Sequence, residues 1–285
     1  MANLPIDGTH DLQTRYTEEV VALKRKQNVV RKFFNTDFVG DPKAGAVKFT
    51  MRPSEVAVND YNVKDGADMT FGETEYKNVL IEKNEAINEL IDGYEAQAVP
   101  DNLVAQRLES GAYSLGRKQE MNAIKVLEGN ATKEADETET DANDVYEGII
   151  QSIKNVKNKG IDKDTLVVVI SDEIEAKLLT DEKYSNTAAA MGADLVREGI
   201  VSRIGGVDVV VSSNLDDGSA SDTETEWIVF STLFAATAED WMVEPQIYDL
   251  RNGKHIGSSA LQGRVVYEDV LLDTDAARIK TVDRS

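Results

Sequence analysis

The chain has 285 residues, 31 Lys and Arg against 52 Asp and Glu, a formal net charge of −21 and no cysteine. That balance argues against a surface built to grip nucleic-acid phosphates or anionic lipid, both of which need clustered cations. The missing thiols exclude disulfides, thiolate metal sites and a cysteine nucleophile, while 41% hydrophobic residues suffice for one large domain or two moderate ones.

Taken in order, residues 1–10 (MANLPIDGTH) carry Pro5 and Gly8 without periodicity and read as an irregular arm. They also lack the charged start and apolar core of a signal peptide. No apolar run reaches the ~20 residues that span a bilayer, so the protein is expected to stay in the cytoplasm that makes it. Asp11 to Phe34 has a helical pattern, with Tyr16, Val20, Leu23 and Val30 or Phe34 near one face. Lys24, Arg25, Lys26, Arg31 and Lys32 fill much of the other, the only strongly basic segment. It is either a solvated face or a contact for an acidic neighbour, which includes another copy of the chain.

Gly40-Asp41-Pro42 breaks the chain, and Ala46–Arg52 then alternates as a strand, with Val47, Phe49 and Met51 to one side. Val56 and Val58 resume the alternation after Pro53. Asp60–Gly72 is polar and glycine-bearing, a long loop or hairpin tip. Tyr76–Glu82 and Ala86–Ile91 read as strands joined by Lys83-Asn84-Glu85. Pro100-Asp101 suits a helix start, and the helical pattern runs to about Leu127, ending at Gly129. Val104, Leu108, Ala112, Leu115, Ile124 and Leu127 make its stripe. Gly111 and Gly116 lie inside it, where glycine marks a close approach or a bend.

Ala131–Asn143 is an acid-rich break, and Asp144–Asn158 an amphipathic helix with Val145, Ile149, Ile153 and Val156 on one face. Thr165–Ile170 is β-branched enough for a strand buried on both faces. Ser171, Asp172 and Glu173 follow as a cap and acidic first turn of a short helix. A second helix is expected over Thr187–Glu198, then strands at Ile200–Ile204 and Val207–Val211 around a Gly205-Gly206 turn. Leu215–Glu226 reads as an exposed acidic loop, Trp227–Phe230 as a buried strand and Asp240–Val243 as another. Asn252-Gly253 signals a tight turn. Ala260–Leu272 and Ala277–Thr281 are terminal strands.

Catalytic motifs do not emerge. Gly253-Lys254 has Tyr248 where a phosphate loop needs glycine and His255 where it needs Ser or Thr. No G-x-G-x-x-G follows a strand and no G-x-S-x-G elbow exists. The two histidines, His10 and His255, have no partner at helical spacing. Asp136–Asp144 and Asp216–Glu226 lack the central glycine and terminal glutamate of a calcium loop. No catalytic, cofactor-binding or metal residue is therefore assigned, and the chain is expected not to be an enzyme.

Three segments, in order, resemble tailed-bacteriophage major capsid proteins of the Hong Kong 97 fold. Val79–Ile91 leads through Asp92–Gln97 into Asn102–Leu127 as such chains leave an extended loop and enter a long spine helix. Thr165–Asn214, with EGIVSRIGGVDVVVSSNL, matches a buried strand, two helices and a glycine-marked hairpin. Ala260–Leu272 matches the strand that returns to the peripheral domain.

The resemblance implies an α+β fold with an N-terminal arm (1–43), an extended β-loop (44–80) and a peripheral domain with the spine helix (81–139). An axial domain (140–258) and a C-terminal return to the peripheral domain (259–285) would follow. It further implies a protein that self-assembles through pentamers and hexamers into an icosahedral shell around double-stranded DNA, held without sequence-specific binding. That shell would be the capsid of a virion assembled in the host cytoplasm, without a membrane. Arm and loop would bury their apolar residues between subunits, and the basic segment at Lys24–Lys32 would find acid on the adjacent copy. Because the arm starts almost at once, either a separate scaffolding protein acts or a scaffolding segment has already been cleaved; Met1 favours the separate scaffold, which is expected along with a portal. The alternative is an encapsulin-like nanocompartment enclosing a cargo enzyme. A third reading, an acidic enzyme using a carboxylate pair, predicts a monomer or small oligomer with a closed cleft.

Overall fold

The computed structural model describes residues 28–37, 45–50, 58–67, 69, 76–91, 103–134, 142–180, 200–215, 223–250 and 257–283. Its largest sheet has six strands, in spatial order β4 (Thr132–Lys133), β11 (Ala277–Asp283), β8 (Thr223–Ser231), β5 (Leu166–Ile170), β7 (Val207–Val211) and β6 (Ile200–Ile204).

Every residue of β5 is buried because both faces of the sheet are covered. Side chains alternate along a strand, so Val167 and Val169 point with Ile228, Phe230 and Ile279 to one side. There they meet Ile124 and Leu127 of the long helix α1 (Leu103–Asn130) and Val30 and Phe34 of the arm. Leu166, Val168 and Ile170 point the other way, onto Val145, Ile149 and Ile153 of α2 (Ala142–Lys157) and Ile174 and Leu178 of α3 (Asp172–Leu178). Each such aliphatic side chain contributes about 1.5–3 kcal/mol on burial. The expected cap is present: Ser171 Oγ accepts from Ile174 N–H at 3.4 Å. The expected glycine turn is present too. Gly205 and Gly206 both have positive φ, at 58° and 83°, as a two-residue turn matched to strand twist requires.

A second, antiparallel sheet runs β3 (Lys83–Ile91), β10 (Ser259–Leu271), β9 (Ala235–Asp249). Helix α1 lies across it, Leu115 packing with Val265, Tyr267, Ile87 and Trp241. Gly111 makes that contact close: a Cβ there would stand 3.0 Å from Leu261 Cδ2 and 3.3 Å from Ile87 Cδ1. Of the two expectations for a glycine inside this helix, close approach is the one Gly111 meets. A separate pair, β1 (Ala46–Thr50) with β2 (Tyr76–Leu80), sits on β9 through Val47, Phe49 and Val79 against Ala236 and Ala238.

Several expectations need correction. The helix over Asp11–Phe34 is described only from residue 28, and there it is a single 3-10 turn, Val30–Phe33. Leu215–Glu226 is not loop to its end. Residues 223–226 open β8, where Thr223, Glu224 and Thr225 pair with Asp283, Val282 and Thr281 of β11 and Thr225 and Glu226 are buried. Lys83-Asn84-Glu85 is strand rather than joint; its residues pair with Val265, Val266 and Tyr267 of β10. Asp240–Val243 is a fragment of the fifteen-residue β9, hidden in sequence by Pro245. Proline donates no ladder hydrogen bond, and the register with β10 shifts opposite it, at Gly263. Ala112, placed in the helix stripe, is exposed. The proposed helix over Thr187–Glu198, the Asn252-Gly253 turn and Val104 lie outside the described residues or side chains.

The two sheets divide the C-terminal half of the chain between them: β9 and β10 join the second sheet, and β11 the six-stranded one.

Candidate functional site: the arm anchor and the loop tip

Among the described residues, a densely bonded polar cluster joins the arm to α1, β9 and β10. Glu120, fully buried on α1, receives three backbone N–H groups of the arm: Val29 at 2.9 Å and Val30 at 2.8 Å on Oε1, and Arg31 at 2.9 Å on Oε2. The first N–H groups of a helical turn have no partner within it and carry partial positive charge. A carboxylate supplies acceptors and the opposite charge together.

Arg31 then reaches across to the second sheet. Its Nη1 donates to Glu239 Oε2 at 2.6 Å, Nη2 to Thr237 Oγ1 at 2.8 Å, and Nε to Asp269 Oδ1 at 3.2 Å. Its guanidinium also lies 5.2 Å from the Tyr267 ring centroid. Burial works against the Arg31 charge, yet Asp269 and Glu239 more than offset it and hold its pKa above the ordinary arginine value. Asp269 has no exposed side-chain surface and takes a second bond from Asn122 Nδ2 at 2.9 Å. Tyr267 is pushed up, mainly by burial and then by Glu85 and Asp269. Beyond the turn, Asn35 donates to Ala235 O at 2.8 Å and accepts from Thr237 N–H at 2.9 Å, so the arm extends the edge of β9.

Arg31 was read as part of a basic face that is solvated or meets an acidic neighbour. Its acid partners belong to the same chain. Glu120 and Asp269 were not singled out, though each left a signal. Glu120 follows Gly116 and precedes Ile124 and Leu127 on one helix face, and Asp269 shares strand parity with inward Val265, Tyr267 and Leu271. Among the described residues, no group of three or more His, Asp or Glu is placed to hold a metal ion.

A second feature is the loop beyond β1 and β2. Asn62 and Gly66 exchange backbone hydrogen bonds at 3.0 and 2.8 Å, and Asn62 Oδ1 accepts from Lys64 N–H at 3.0 Å. Around this small turn stand Val58, Tyr61, Val63 and Met69, which are 97%, 74%, 89% and 95% exposed. Water-facing apolar groups at this density mark a contact surface.

One titration is testable here. Glu268 on β10 sits above the ordinary 4.5, chiefly because burial penalises its charge, although the Glu82 N–H (3.0 Å) and Lys83 pull it down. A carboxyl raised in the folded state adds stability below its unfolded pKa, and that contribution is lost as pH rises through the folded value. Glu268→Gln keeps an acceptor without the charge. It is expected to raise Tm by about 1 °C near pH 7 and by nothing near pH 4, as read in paired thermal melts.

No protein-family model matches the chain, and no curated protein matches it. Solved structures do. A chain of Mycobacterium phage Che8 is 18% identical, the match covering 95% of this chain and 97% of that one at TM-score 0.72. A chain in the capsid structure of cyanophage P-SCSP1u is 11% identical over 95% and 93%, also at 0.72. A chain of the virus-like particle from Pyrococcus furiosus is 12% identical over 88% and 92%, at 0.53. At these identities the likeness establishes a common fold.

Proposed function

The chain carries the Hong Kong 97 fold of phage capsids, and from that premise we propose that it is a major capsid protein. Its copies build an icosahedral shell around a double-stranded DNA genome. The carrying observation is a fold shared with a cyanophage capsid chain over nearly the whole length of both. The exposed Val58, Tyr61, Val63 and Met69 support it, because a monomer gains nothing from holding them in water.

On this reading residues 1–43 are the arm and 44–80 the extended loop. The peripheral domain is centred on α1 and the three-stranded sheet, and the axial domain on the six-stranded sheet. The C-terminal return is divided, β10 serving the first and β11 the second. The net charge of −21 suits an interior along which DNA is packed without being gripped. A separate scaffolding protein and a portal belong to the same proposal, as does a location in the virion.

Negative-stain microscopy of the purified protein, alone and co-expressed with its genetic neighbours, tests it. Closed shells that protect DNA from nuclease are expected once scaffold and portal are present. A protein that remains monomeric under every condition overturns the reading, and shells holding a cargo enzyme instead of DNA favour the nanocompartment. The weaker likeness to the Pyrococcus particle is why that is the second reading.

A further inference from the structure

Between α1 and β3 lies a cavity of about 590 Å³ lined by Lys83, Glu85, Arg117, Lys118, Met121 and Lys125, with Ser114 and Asn122 beside them. Four cations meet one carboxylate here, in a chain whose formal charge is −21. Among the described residues Glu85 forms one ion pair, with Lys118 at 3.6 Å, and also faces Tyr267; that lysine side chain is still 70% exposed. Among the described residues, Arg117 and Lys125 have no acidic partner. Arg117, Met121 and Lys125 follow at four-residue spacing, so they form a row down one side of α1 with about 6 Å between neighbours. The floor is fixed: Asn122 is bonded to Asp269, the acid that also holds Arg31.

We propose that this groove receives carboxylates from a second copy of the chain, and that it is a subunit contact of the shell. The inference rests on the capsid reading. Copies that each carry −21 repel, so they associate most favourably where one presents concentrated positive charge to the acid of another. Within a shell the other copy is also the acid source at highest effective concentration. Successive carboxylates on alternate residues of an extended segment stand about 7 Å apart, which matches the row on α1. Met121 and the lysine stems supply apolar walls between the charges. Nucleic acid is the poorer occupant, because a cavity of this size takes side chains rather than a duplex, and the acidic surroundings oppose phosphate.

The test uses assembled particles grown from equal parts of isotopically heavy and light protein. Zero-length carbodiimide cross-linking and mass spectrometry are expected to join Lys83, Lys118 or Lys125 to Asp or Glu in peptides of mixed isotope. The same lysines are expected to be acetylated at least tenfold more slowly in particles than in free subunits. The variant Arg117→Glu/Lys118→Glu/Lys125→Glu changes exposed side chains only. It should keep its thermal melt, lose at least tenfold in particle yield, and leave raised salt with little further effect. Shells whose groove lysines react as in free subunits, or cross-link only within one copy, refute the groove while leaving the capsid reading intact. Protection that appears only after DNA is packaged refutes it in favour of nucleic acid. A protein that never assembles refutes both.

Discussion

Glu120→Ala is expected to free the arm from the body of the subunit while leaving both sheets folded. The substitution strips acceptors from three buried or half-buried N–H groups at once, those of Val29, Val30 and Arg31. Hydrogen bonds to a charged group contribute about 1.5–3 kcal/mol each. The arm can relieve the loss by detaching, which limits the total to roughly 3–5 kcal/mol. Detachment also costs the burial of Val30 and Phe34 against the sheet, so the arm does not leave freely. Amide exchange at residues 29–31 should accelerate by about two to three orders of magnitude. Val168 and Val229, at the sheet centre, should keep their protection. Glu120→Gln retains an oxygen acceptor and should lose about half as much. If Glu120→Ala leaves exchange at 29–31 unchanged, the carboxylate is not what holds the arm.

Arg31→Ala should cost as much by a different route. The Asp269 side chain is wholly buried, and without the guanidinium its charge keeps, among the described residues, only Asn122 as a side-chain donor. Removing one partner of a buried ion pair typically costs 3–5 kcal/mol, because the other charge remains in a medium that solvates it poorly. A double-mutant cycle with Asp269→Asn separates this from lost packing. The pair is expected to show a coupling of at least ~2 kcal/mol, the double variant being closer to wild type than Arg31→Ala alone. Urea denaturation at fixed pH reads both numbers. A coupling near zero would mean that Arg31 acts through its contacts with Tyr267 and Glu239 rather than through Asp269. No pH dependence should come from Arg31 itself. Its raised pKa means the contribution is complete below the unfolded arginine value and is lost only as pH rises through the still higher folded one.

These two residues show how far the sequence could be read. Thr165–Ile170 announced a doubly covered strand because the five consecutive apolar residues after Thr165, four of them β-branched, leave no polar face. The structure covers Leu166–Ile170 from both sides. Ser171 as cap, Gly205-Gly206 as turn and the long helix to about Leu127 were legible for the same reason: each depends on residues within a turn or two. Where one polar residue sat among apolar ones, the local pattern was silent. Pro245 and its polar neighbours concealed the continuity of β9, and Thr223–Thr225 looked like loop because nothing nearby marked Thr281, Val282 and Asp283 as their partners.

By itself the sequence determined the order of helices and strands, the apolar side of most of them, and the exclusion of thiol and disulfide chemistry. Three segments in order also carried a resemblance to the capsid fold. Only the tertiary structure decided that Arg31 pairs with Asp269, 238 residues away, and that Glu120 closes a turn 89 to 91 residues earlier. It alone brought Lys83 beside Arg117 and Lys125. The reason is physical. Local structure follows from periodicity and capping over a few residues, whereas the worth of a charge depends on its solvation and partner. Both of those are set by distant chain segments, which meet only when the fold closes.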